Sequence, residues 1–169
     1  QVFAFGLPGV LRVVAVAGSH GKTTTSSLIA FILFEAGLGP MYLLGGESID
    51  LGGNAAWGEG YLCVVEADEY RRAFHEYAPD LAVITNVEAD HLDYYKTWEA
   101  VQEAFRGFAA RVVPGGTLLL CADNDEATAL RAYALMHRRS GMAVLISDLL
   151  NPGGLEGLTA LLDRGFEAV

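Results

Sequence analysis

The segment that most restricts the fold is Arg12-Val-Val-Ala-Val-Ala-Gly18, which runs directly into Ser19-His20-Gly21-Lys22-Thr23-Thr24. A short β-branched run ending on glycine reads as a strand buried on both faces, as parallel strands are. From Lys22 to Ala36, apolar residues at Leu28, Ile29, Ile32, Leu33 and Ala36 recur at helical spacing, and Gly37 supplies the stop. Strand, glycine loop and helix in this order point the free amides of the helix start into the loop, where they suit a phosphate. On that reading the backbone of Gly18 to Thr24 cradles phosphate oxygens, Lys22 bridges the β- and γ-phosphates of a nucleotide, and the Thr23 hydroxyl ligates Mg²⁺. The pattern is the short GxxGKT, with Val16 standing where longer phosphate loops carry a glycine. A glycine-rich turn with an incidental exposed lysine is the plain alternative. It is weakened because Lys22 is one of only two lysines in the chain, the other being Lys96.

The remaining sequence predicts more of the same architecture. Leu62 to Val65, Leu81 to Ile84 and Thr117 to Cys121 are apolar runs long enough only for strands. Thr97 to Arg111 reads as a helix with Val101, Ala104, Phe105 and Phe108 on one face. Gly45 to Gly60, rich in glycine, reads as loops or a small hairpin insertion. The expected fold is therefore α/β and P-loop NTPase-like, a mostly parallel central sheet flanked by helices, with ligands at the carboxyl ends of the strands. At 169 residues and 52% hydrophobic the chain suits one compact domain. A net charge of −10 argues against duplex DNA or an anionic membrane as partner. No apolar run approaches membrane-spanning length and no signal-peptide pattern opens the chain, which points to the cytoplasm. Cys63 and Cys121 lie in apolar runs without ligand spacing and read as small core residues, while Phe31, Phe34, Phe105 and Phe108, at helical spacing, read as large core residues.

Two acidic segments follow strands and so belong at the phosphate-loop end of the sheet. In Val64-Val65-Glu66-Ala67-Asp68-Glu69, a carboxylate at the strand end can complete a Mg²⁺ shell with Thr23, and Glu66 is the candidate ligand. Three acids that merely end a strand are the alternative. In Thr85-Asn86-Val87-Glu88-Ala89-Asp90-His91-Leu92-Asp93, a histidine among carboxylates suits a second divalent ion, with His91 oriented by a neighbouring acid. Zinc fits less well than magnesium, since no cysteine and one well-placed histidine are offered. His75 and His137 read as surface residues without a role.

These segments, in this order, resemble the central domain of the Mur ligases. The resemblance rests on AVAGSHGKTTTSSLIAFILFEAGL, LGGESIDLGGNAAWGEG, VVEADEYRRAF, PDLAVITNVEADHLDYY and PGGTLLLCADND, covering about residues 12 to 130. The ADHLDYY segment looks most like the branch that joins L-alanine to UDP-N-acetylmuramate, while the EADEY region is also similar to the murein-tripeptide branch. The resemblance implies that ATP phosphorylates the substrate carboxylate to an acyl phosphate, which the amine of L-alanine attacks. It implies that Gly18, Ser19, His20, Gly21, Lys22, Thr23 and Thr24 hold the phosphates, that Lys22 stabilises the transferring γ-phosphoryl group, and that Thr23 and Glu66 hold one Mg²⁺. It further implies that His91 holds a second cation and that Asn54 lies near the phosphoryl group or the substrate carboxylate. A nucleotide-binding or structural module without catalysis is the competing reading.

The chain also departs from the family. Other branches carry a carbamylated lysine after the histidine, yet no lysine occurs between Thr97 and Val169, which fits the alanine branch. Arg71 stands where an acid is common. Residues 1–11 form a leader without assignable structure, and 131–169 read as a strand-helix-strand that completes the domain. Within the latter, Arg138 to Gly154 resembles the closing strand and helix of a von Willebrand A-like family, so the domain reads as chimeric. Asp148 there lacks an accompanying DxSxS and is taken as structural. The start at Gln1 and the apolar end at Val169 read as a piece of a longer protein, without the flanking substrate domains that ligation would require.

Overall fold

In a computed structural model of the chain, the residues described are 12–121, 142–146 and 167–168. Eight strands form one sheet: β1 (Arg12–Ala17), β2 (Met41–Ser48), β3 (Gly53–Ala56), β4 (Leu62–Glu66), β5 (Leu81–Ile84), β6 (Thr117–Cys121), β7 (Met142–Ile146) and β8 (Glu167–Ala168). Their order is β3-β2-β4-β1-β5-β6-β7-β8, and every pairing is parallel except β2 with β3. Among the described residues, helices α1 (Lys22–Glu35), α2 (Leu92–Tyr95) and α3 (Trp98–Ala109) and an irregular helical turn at Tyr70–Glu76 lie between β1 and β6. The α/β sheet expected from the alternating pattern is thus the fold observed.

β1 is central because both its faces find partners. Val14 belongs to one apolar cluster with Ala30, Tyr42, Leu44 and Val64, and the alternate residues Ala15 and Ala17 belong to the other. That second cluster is larger and includes Cys63, Val65, Phe74, Ala82, Ile84, Val101, Phe105 and Phe108. Period-two side chains on a strand buried on both sides explain why β1 reads as an unbroken apolar run. At the centre of the larger cluster Phe74 stacks on Phe108 (centroids 4.9 Å apart) and meets Phe105 edge to face at 5.2 Å. Phe108 is fully buried. Phe108→Ala is expected to cost about 3–5 kcal/mol through the cavity it leaves, measured as a shift in the urea midpoint at constant slope.

Four sequence expectations need correction. First, of the two readings of Gly45 to Gly60 the hairpin holds and the loop does not: Gly45 to Ser48 continue β2, which pairs antiparallel with β3 and, through Met41 to Leu43, in parallel with β4. Gly45 and Gly46 read as breakers, but a Cβ at Gly45 would stand 2.5 Å from Glu66 Oε1, so glycine there permits a close approach. Second, Leu28 and Ile32 of α1 are exposed, as is Phe34, and Phe31 is half-buried. From Leu28 to Phe34 the helix is apolar on all sides, so spacing could not choose its face; Ile29 and Leu33, with the small Ser26 and Ala30, pack inward. Third, Cys121 is half-buried, whereas Cys63 is buried and its thiol is pushed up by desolvation to about 11. Fourth, His75 is not a free surface residue: it is half-buried, stacks on Phe74, and its Nε2 lies 2.7 Å from the Ala104 carbonyl of α3.

The terminal segment adds β7 beside β6 and β8 beside β7, both in parallel. The leader 1–11, the helix expected within 131–169, His137 and Asp148 lie outside the described residues. Among the described residues, no helix is long and apolar enough to cross a membrane.

Candidate functional site

Three loops meet at the carboxyl edge of the sheet because the registers align: Val16 lies opposite Glu66, and Ala17 opposite Ile84. The loop after β1 is the phosphate-loop candidate. Its far wall is the start of the β5–α2 loop: Ser19 N–H donates to the Asn86 carbonyl (3.1 Å), and His20 N–H to Asn86 Oδ1 (2.8 Å). Thr85 Oγ1 donates to the His20 carbonyl at 2.6 Å, and Glu88 N–H donates to Ser19 Oγ at 2.9 Å. The loop is therefore held from outside by the β5–α2 loop, with Ser19 buried and His20, Gly21 and Thr24 at the surface. Gly18 sits at φ +143°, where a Cβ would overlap Thr85 Oγ1 and come within 3.2 Å of Asn86 N and O.

Gly21 precedes α1 as its N-cap in a left-handed conformation, with no side-chain capping bond and no acid in the first turn. The first-turn amides of a helix have no partners within it, and the helix dipole makes that end attract an anion. An uncapped 14-residue helix start beside a glycine loop fits a phosphate group.

Thr23 is in that first turn, and its Oγ1 lies 3.1 Å from Glu66 Oε1 at the end of β4. The other carboxylate oxygen of Glu66 accepts from Gly45 N–H at 2.7 Å. A hydroxyl and a carboxylate brought together at the helix start form an oxygen-donor pair of the kind Mg²⁺ takes, supplemented in such sites by phosphate oxygens and water. The structure thus brings together Thr23 and Glu66, the two residues that the sequence reading paired.

His91 stands elsewhere in the edge. Its Nε2 lies 3.4 Å from Glu69 Oε1 and 4.0 Å from Asp90 Oδ2, and it occupies a left-handed position (φ 51°) before α2. Ligand atoms of Asp68, Glu69 and His91 all fall within 4.8 Å of one another. The carboxylates that gather round His91 are these and not Glu66. Tyr70 leans on the His91 ring at 5.0 Å between centroids, and Arg71 lies over Tyr70 at 5.4 Å. Asn54 is on β3 at the sheet edge, exposed, with no side-chain hydrogen bond among the described residues.

The residue that sequence reasoning passed over is Glu69. It is 2% exposed and meets Lys22 Nζ with both oxygens, at 2.7 and 3.0 Å. Lys22 Nζ also donates to the Gly18 carbonyl at 2.6 Å. The Tyr95 hydroxyl, pushed up to about 12 by burial and so held protonated, donates to the Glu69 carbonyl. The sequence signal was present in the second glutamate of Glu66-Ala67-Asp68-Glu69. Nothing in a strand period says that the chain turns back after Glu66 and buries its next acid but one.

Comparison with known proteins matches the Mur ligase middle domain to residues 16–141. The UDP-N-acetylmuramate–L-alanine ligase of Streptomyces coelicolor is 50% identical over 120 residues, which are 71% of this chain and 26% of that protein. The chain thus spans about a quarter of the length of such a relative. Among solved structures, UDP-N-acetylmuramate-alanine ligase from Thermotoga maritima superposes with a TM-score of 0.63 at 26% identity, over 80% of this chain and 29% of the other. The MurF ligase of the same organism, solved in complex with ADP, gives a TM-score of 0.62 at 19% identity over 91% of this chain and 44% of that one, a likeness of fold.

Proposed function

Since the chain belongs to the Mur ligase family, through the middle domain that family shares, we propose that it is the nucleotide-binding part of a ligase joining L-alanine to UDP-N-acetylmuramate. The proposal extends to ATP as phosphoryl donor, Mg²⁺ as cation and the cytoplasm as place of action. The observation that carries it is the contact of Thr23 Oγ1 with Glu66 Oε1 at the uncapped start of α1, with Lys22 one residue before.

In this reading Gly18, Ser19, His20, Gly21 and Thr24 shape the phosphate cradle, the amides of Ser19 and His20 being tied to Asn86 while those from Gly21 to Thr24 are left for the phosphates, and Lys22 neutralises the γ-phosphoryl group as it transfers. Thr23 and Glu66 hold Mg²⁺, which when bound supplies positive charge to the phosphate oxygens. His91, backed by Glu69 and Asp90, is the ligand for a second cation. Asn54 is assigned to the rim nearest the substrate carboxylate. What the residues contribute is chiefly position: phosphoryl transfer to a carboxylate asks for in-line placement and charge neutralisation more than for a protein nucleophile. The acyl phosphate formed in the first step keeps the carboxyl carbon activated until the L-alanine amine displaces phosphate. UDP-N-acetylmuramate and L-alanine are partners of the whole enzyme.

The test is the metal dependence of binding. Glu66→Ala is expected to weaken MgATP binding on the order of tenfold or more while leaving the affinity for metal-free ATP unreduced, as read by calorimetric titration with Mg²⁺ and with EDTA. Equal Mg²⁺ stimulation in variant and parent would remove Glu66 from the metal.

A further inference from the structure

From the contacts of Glu69 we infer a positioning residue: its buried carboxylate holds the Lys22 ammonium folded back on its own loop, and a nucleotide must draw that ammonium away before Lys22 can serve a phosphate. The inference rests on the nucleotide-binding reading of the loop and adds a residue to it.

The geometry is specific. Lys22 Nζ has three close oxygen partners: Glu69 Oε2 at 2.7 Å, Glu69 Oε1 at 3.0 Å and the Gly18 carbonyl at 2.6 Å, with the Ser19 carbonyl further off at 3.5 Å. An ammonium has three protons to donate, so these partners use its full capacity. A phosphate oxygen can then be served only by giving up one of them. Glu69 cannot follow Lys22 outward, because it is 2% exposed and its main-chain carbonyl is held by the Tyr95 hydroxyl. The same carboxylate oxygen that meets Lys22 at 3.0 Å lies 3.4 Å from His91 Nε2. One fixed carboxylate thus touches side chains from the start of α1 and from the β5–α2 loop, and sets the distance between them.

The arrangement makes an unusual demand on a variant. Loss of a residue that serves only structure lowers affinity or leaves it alone, whereas loss of a competitor for Lys22 raises it. Glu69→Gln keeps the shape and one acceptor oxygen but removes the charge. It is expected to bind metal-free ATP about tenfold more tightly than the parent, the size of a charge-assisted bond no longer surrendered. Glu88→Gln serves as the comparison, since Glu88 is a carboxylate near the same loop, 3.5 Å from His20 and half-exposed, that does not touch Lys22. Its gain should be under about twofold, as for an exposed charge.

A second readout needs no substitution at Glu69. With two lysines in the chain, side-chain ammonium spectra by ¹⁵N NMR contain at most two signals, and Lys96→Arg leaves one. In the nucleotide-free parent that signal is expected to be sharp and protected from exchange, and to move on adding ATP. Failure of the parent to bind ATP while the protected ammonium is present would sink the nucleotide reading and spare the Glu69–Lys22 restraint. An unprotected Lys22 ammonium, equal gains in Glu69→Gln and Glu88→Gln, or a folded Glu69→Gln that binds ATP no more tightly than the parent would each overturn the inference.

Discussion

Lys22→Ala is expected to do two things at once: weaken MgATP binding by roughly 10- to 150-fold, the worth of a hydrogen bond from a charged donor, and destabilise the fold by about 3–5 kcal/mol. The second effect arises because Glu69 is 2% exposed and Lys22 only 15% exposed in their side chains, so deleting the ammonium leaves a carboxylate buried with its main neutralising partner gone. Breaking a buried pair costs far more than the pair contributes, because the remaining charge has lost its water and its partner. The two effects separate in the double variant Lys22→Ala/Glu69→Gln. Its stability should return most of the way to that of the parent, while ATP binding stays lost. Chemical denaturation measures the first and titration the second. A Lys22→Ala protein that binds ATP like the parent would contradict the assignment of the loop.

Gly18→Ala has the next largest expected effect, a loss of about 3 kcal/mol from backbone strain and overlap combined, together with loss of nucleotide binding. At φ +143° the position lies in a region that side chains rarely adopt, and the added Cβ runs into Thr85 Oγ1. Thr85 is part of what holds the loop, through its bond to the His20 carbonyl. Pushing Thr85 aside therefore loosens the loop it should brace. Adding Thr85→Ala to Gly18→Ala should recover only part of the stability, because Asn86 N and O remain 3.2 Å from the new Cβ and φ is unchanged. Thermal unfolding of the single and double variants measures this, and full recovery would show that the hydroxyl overlap was the whole cost.

What could be read from the sequence was what local pattern controls. β1, β4, β5 and β6 are apolar because the sheet is covered on both sides, so their extents were legible almost to the residue. α3 was equally plain, having one apolar face and Thr97 as N-cap accepting from Ala100 N–H. The face of α1 was not legible, since its second half is apolar all round and carries no phase, and only the small residues Ser26 and Ala30 mark its inner side. β2 was hidden by Gly45 and Gly46, whose meaning depends on Glu66, a residue about twenty positions away in the chain that takes the space a Cβ would fill. Long-range causes of this kind leave no trace in a local window.

The candidate site divides in the same way. The candidate loop Gly18 to Thr24 stands out from spacing because its pattern is local. The partnership of Thr23 with Glu66 followed from knowing that parallel strand ends share an edge. The distribution of the other acids did not follow. Asp68 and Glu69 leave the strand and enter a turn before the irregular segment at Tyr70–Glu76, where Arg71 and Arg72 take left-handed conformations. Once the chain has left the strand, the period that orients side chains no longer applies, and which acid meets Lys22 and which meets Thr23 is settled by the turn.

Manganese in place of magnesium, located by its anomalous scattering in crystals of the full chain grown with a non-hydrolysable ATP analogue, tests the assignment of the loop most directly. The expected result is a manganese peak within ligand distance of Thr23 Oγ1 and the Glu66 carboxylate, with the phosphates against Gly18 to Thr24 and Lys22 Nζ drawn toward them. Phosphates bound away from this loop, or a manganese peak that neither Thr23 nor Glu66 touches, would contradict it.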